Sequence, residues 1–74
     1  MKQFTPVEKR LAEAAHTARV ELGLSRRELA EVVGFKRSCS IADLERMRAI
    51  PPGEKLLLMI HELGLDVASI VEGD

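Results

Sequence analysis

Leu22-Gly23-Leu24-Ser25-Arg26-Arg27-Glu28-Leu29-Ala30-Glu31-Val32-Val33-Gly34 is the stretch that decides how this chain folds. Ser25 and Glu28 have the spacing of a capping box, in which the serine hydroxyl receives the third helical amide while the glutamate reaches back to the serine amide. A helix therefore starts at Arg26 and presents Leu29, Ala30, Val32 and Val33 as an apolar face. Gly34 stops it, which predicts a helix over about 26–33.

Upstream, Thr5-Pro6-Val7-Glu8 is a second capping box with proline at the first helical position, where its missing N–H costs nothing. Val7, Leu11, Ala14, Ala15, Ala18 and Leu22 then recur on one face of a 3.6-residue repeat until Gly23, a helix over about 6–22. Downstream, either Ser38 or Ser40 can cap a third helix that turns Ile41 and Leu44 inward and Arg37, Ser38, Asp43 and Arg46 outward. It must close before Ile50-Pro51-Pro52, because the residue preceding a proline is pushed out of the α region, and Arg46-Met47-Arg48-Ala49 can prolong it to that limit.

A fourth helix over about 53–63 puts Leu56, Ile60 and Leu63 inward and stops at Gly64. The run Leu56-Leu57-Leu58-Met59-Ile60 is too continuous for one face, so one of Leu57, Leu58 and Met59 is exposed or meets a partner. Asp66 caps a last short helix that extends to Val71.

With 74 residues there is room for one hydrophobic core, so residues 1–74 read as a single domain. The aromatic content is two Phe, and a core made of Leu, Ile, Val, Ala and Met suits interlocking helices, which predicts an all-α protein. Cys39 is the one cysteine and has no disulfide partner within the chain. His16 and His61 lie on separate helices without ligand spacing, and no Cys/His pair is set up for nucleophilic chemistry. No metal, cofactor or enzymatic activity is expected. No apolar segment has the length of a signal peptide core or a membrane span, and the cytoplasm is the expected compartment. The net charge is −1, but residues 26–55 carry seven Lys/Arg against five Asp/Glu, while residues 56–74 carry four acids and no Lys or Arg.

The quoted string resembles the lambda-repressor-like family, also called Cro/C1 or Xre type, whose pattern is LGLS/T-polar-polar-E-L-A-x-x-x-G. The likeness continues through Ile41, Leu44-Glu45-Arg46, Pro52-Gly53-Glu54-Lys55-Leu56 and Leu63-Gly64-Leu65-Asp66-Val67, covering about residues 16–71. It departs in register: Ile41 lies seven residues after Gly34 and Glu45 eleven, one more than the family's usual spacing.

The resemblance implies a compact five-helix domain with a helix-turn-helix at about 25–48 that binds double-stranded DNA and regulates transcription. Such a protein commonly represses by occupying a pseudo-palindromic operator as a homodimer. Arg26 matches the family's phosphate-contacting position. Ser38, Cys39, Ala42 and Asp43 match outward positions of the recognition helix, with Lys36, Arg37 and Ser40 around its start. Arg46, Arg48 and Lys55 form a second set for phosphates. Arg19 and Glu45 match a partly buried ion pair between the first and third helices. The alternative is an antitoxin-like or adaptor module on the same fold, whose acidic end or exposed Leu/Met surface binds a protein partner.

Overall fold

The computed structural model describes residues 3–73. Among them are α1 (Pro6–Glu21), α2 (Arg26–Val33), α3 (Cys39–Glu45), α4 (Gly53–Leu63) and α5 (Val67–Glu72), with no strand. Both capping boxes form. The Glu8 amide donates to Thr5 Oγ1 at 3.1 Å and the Thr5 amide to Glu8 Oε1 at 2.9 Å. Ser25 and Glu28 repeat the arrangement at 3.0 and 2.9 Å.

The interior is built from Leu29, Ile41, Leu44 and Met59, all nearly free of solvent, with Phe4, Ala12, Ala15, Ala30, Val33 and Leu63 around them. Burying each large side chain contributes about 1.5–3 kcal/mol, so these four anchor α2, α3 and α4 to a shared core. α1 packs on α3, α4 and α5, while α2 packs on α3 and α4. The α2–α3 pair is thus held against α1 and α4 and leaves its other side to solvent.

Several expectations are corrected. On α4 the inward residues are Met59 and Leu63; Leu56 and Ile60 flank them half-buried. The expected exposure within the apolar run is met by Leu57 and Leu58, at 68% and 37%, while Met59 is buried. On α2 the buried stripe is Leu29, Ala30 and Val33; Val32 lies about a quarter turn off it and is 53% exposed. Leu22 is the C-cap beyond the end of α1 and is exposed, and Ala12 takes part in the core in its place.

The largest departure is α3, which ends at Glu45 and does not run on through Arg46–Ala49. The Met47 amide donates to the Leu44 carbonyl at 3.0 Å and the Arg48 amide to the Asp43 carbonyl at 2.8 Å, a turn that needs a left-handed residue between them. Met47 supplies it at φ +59°, in the conformation usually left to glycine. Its side chain packs on the core, which offsets a backbone cost of about 1–2 kcal/mol.

Candidate nucleic-acid interface

α3 enters the fold differently from α1 and α2. Ser38 occupies the N-cap position but already has helical angles, φ −73° and ψ −11°, and neither serine hydroxyl caps. A capping side chain needs an extended N-cap to reach forward. Here the Ser38 carbonyl instead receives the Ile41 and Ala42 amides, both at 3.1 Å. The segment Phe35–Ser38 therefore approaches α3 as a turn.

Two surface depressions meet at the half-buried Phe35. One is lined by Arg27, Ala30, Glu31, Phe35, Lys36, Arg37 and Ser38. The other is lined by Phe35, Ser40, Asp43, Ala49, Ile50, Pro51 and Pro52. The structure thus groups Lys36, Arg37 and Ser38 with Arg27, and Ser40 with Asp43. Lys36, Arg37, Ser38, Cys39, Arg46 and Arg48 are exposed; Ser40, Ala42 and Asp43 are half-buried along α3. Arg27 was not singled out in the sequence. Its side chain is 86% exposed and its Nε lies 3.6 Å from Glu31 Oε1 on the same helix, a surface pair of little energetic weight.

Two cations matched to phosphate positions have partners within the chain. Lys55 Nζ donates to the Gly34 carbonyl at 3.1 Å, so it also ties α4 to the turn after α2. Arg26 Nε donates to Glu45 Oε1 at 2.9 Å. Glu45 also receives Arg19 Nε on Oε2 at 2.6 Å and Arg19 Nη2 on Oε1 at 3.2 Å, which realises the expected pair between α1 and α3. Arg19 Nη1 goes on to the Leu24 carbonyl at 2.8 Å, and His16 Nδ1 lies 3.2 Å from Glu45 Oε1.

Glu45 is 4% exposed in its side chain. Burial pushes its carboxyl pKa up, but hydrogen bonds from Arg19, Arg26 and His16 and the Arg19 charge outweigh that and hold it at about 2. Glu28 is also held below the ordinary range, first by the Ser25 amide and then by the Ser25 hydroxyl.

A helix-turn-helix family model matches residues 16–70, which takes in the last turns of α1, the α2–α3 pair, α4 and most of α5. The chain belongs to the Cro/C1-type helix-turn-helix family. Its structure is similar to the crystal structure of the clp gene regulator ClgR from Corynebacterium glutamicum, with a TM-score of 0.72 and 30% sequence identity over 89% of this chain and 69% of that one. No curated protein sequence matches at a significant level. As a member of this helix-turn-helix family, the chain is a DNA-binding transcriptional regulator. No helix among the described residues is long and apolar enough to cross a membrane.

Proposed function

We propose that this helix-turn-helix protein is a cytoplasmic, non-enzymatic repressor that occupies an operator through α3 in the major groove. One observation carries the reading. The cations with hydrogen-bonded or ionic partners are Arg10, Arg19, Arg26, Arg27 and Lys55; of the five that are exposed and make no such contact among the described residues, Lys9 lies on α1, and Lys36, Arg37, Arg46 and Arg48 bracket α3 on both sides. Unengaged cations flanking a short helix of small side chains suit a duplex: the cations meet phosphates and the small residues admit base edges. In this reading Ser38, Cys39, Ser40, Ala42 and Asp43 face the groove, and Arg26, Arg46, Arg48 and Lys55 hold the backbone.

The exposed apolar residues favour a second copy of the chain as an accompanying partner. Leu57 and Leu58 on α4 and Val67 and Val71 on α5 are 37–68% exposed. Two-fold pairing that covers them would set two α3 helices about one DNA turn, ~34 Å, apart on a pseudo-palindrome. The same surface would serve an adaptor that binds another protein.

Selection of bound sites from a random duplex library tests the reading, followed by fluorescence anisotropy at low and moderate salt. A recovered two-fold site whose affinity falls steeply with salt supports it. Absence of duplex binding at low salt, with light scattering reporting a complex with another protein instead, favours the adaptor.

A further inference from the structure

Arg26 opens α2 and Glu45 closes α3, and one hydrogen bond joins them: Arg26 Nε to Glu45 Oε1 at 2.9 Å. A guanidinium has a planar fork of donors, and the Nε contact leaves both terminal NH2 groups for another acceptor. The two ends of this contact differ in freedom. The Glu45 side chain is 4% exposed and pinned by Arg19, whereas that of Arg26 is 41% exposed. The carboxylate is a fixed post, and the arginine reaches from it into solvent. One carboxylate between two guanidiniums leaves a net positive charge, so attraction for an anion survives the pairing.

We propose that Glu45 is a positioning residue for DNA binding, holding Arg26 by its Nε so that its terminal NH2 groups meet a single backbone phosphate with little further loss of rotamer freedom. This deepens the DNA-binding reading and rests on it. It also opposes what simple charge counting gives. An acid that only repelled DNA would weaken binding, and its removal would strengthen it. A positioning acid does the reverse.

The experiment measures anisotropy of a labelled mixed-sequence duplex across a salt series, with a thermal melt of every variant. Arg26→Ala is expected to weaken binding roughly tenfold at low salt and to lower the salt slope by about 1. Arg26→Lys is expected to lose as much affinity as Arg26→Ala while remaining folded, because a single ammonium cannot sit on Glu45 and also present a fork to phosphate. In a Glu45→Gln background Arg26→Ala should cost clearly less than in the parent. If Glu45→Gln does not fold, the Lys and Ala variants at position 26 decide alone. Parent-like binding by Arg26→Lys overturns the proposal, as does an equal cost of Arg26→Ala in both backgrounds, or tighter binding by Glu45→Gln. A parent that binds duplex while Arg26→Ala binds equally well overturns this inference and leaves the DNA reading standing; a parent that binds no duplex overturns both.

Discussion

Arg10 Nε donates to the Ile70 carbonyl at 2.7 Å, and Nη2 of the same side chain donates to the Val71 carbonyl at 3.2 Å. α5 has six residues, too few to persist without tertiary support, and its last carbonyls have no helical partners. A cation placed there satisfies them and complements the negative end of the helix. Arg10→Ala should therefore destabilise the protein by ~1.5–3 kcal/mol and speed amide exchange through α5. An unchanged melt with unchanged exchange at Ile70 would refute the role.

The pair between Arg19 and Glu45 is 12% and 4% exposed in its side chains, so removing either partner strands a charge in a poorly solvated place. Each alanine substitution should cost ~3 kcal/mol, the lower part of the range for breaking a buried pair, because the remaining partner keeps other contacts. Arg19 still reaches the Leu24 carbonyl, and Glu45 still has Arg26. Denaturant unfolding of Arg19→Ala and Glu45→Ala at neutral pH gives the number directly; parent-like midpoints would contradict the burial argument.

Acid should expose the same group. The Glu45 carboxyl has a folded pKa of about 2 against an ordinary value of 4.5, so the unfolded chain takes up a proton that the native one refuses. Its contribution is complete above pH 4.5 and is lost as pH falls through about 2. Over that window it amounts to roughly 3 kcal/mol. Urea midpoints at descending pH should fall more steeply for the parent than for Glu45→Gln, and parallel curves would show that other carboxylates dominate.

Local rules made most of the fold legible. The capping boxes at Thr5 and Ser25 and the terminators at Gly34 and Gly64 place helix ends because each acts within one turn of chain. Met59 was hidden for the opposite reason. In a continuous apolar run the inward register is chosen by what lies opposite, and periodicity within the helix carries no record of it. The exposed Arg37 and Arg46 could be placed outward from their spacing to Ile41 and Leu44. That Arg26 and Lys55 have partners could not, since the Glu45 carboxylate and the Gly34 carbonyl that meet them are 19 and 21 residues away.

At Met47 backbone and side chain favour different residues. Left-handed geometry at φ +59° favours glycine, while packing on the core favours a large apolar group. Met47→Gly relieves the first and loses the second; Met47→Ala loses the packing and keeps the strain. The alanine variant should be the less stable by about 1 kcal/mol. Equal stability, or a more stable alanine variant, would indicate that the turn after α3 has a different backbone in solution.

Affinity and specificity should separate along α3. In the proposed reading Arg46 and Arg48 meet a backbone that carries no sequence information, so their removal should weaken all duplexes alike and lower the salt slope by about 1 each. Arg37, Ser38 and Asp43 should read bases: Arg37 can fork onto guanine, and Asp43 can accept from a cytosine amine. Substituting them should cost ~1–3 kcal/mol on the selected site and little on random DNA. A change in the specific-to-random ratio for Arg48→Ala, with none for Ser38→Ala or Asp43→Ala, would move the reading face of α3.

The α2–α3 pair has no interior of its own: Leu29, Val33, Ile41 and Leu44 are covered by core residues of α1 and α4, among them Ala12, Ala15, Met59 and Leu63. Recognition here is consequently not a portable cassette. A peptide cut at the ends of the motif would shed the surfaces that hold its two helices at their angle, and grafting it into another bundle would carry over the letters without the geometry. In the proposed reading, retargeting this protein to a new site means exchanging the outward side chains of α3 one by one and leaving the inward ones, and the helices behind them, as they stand.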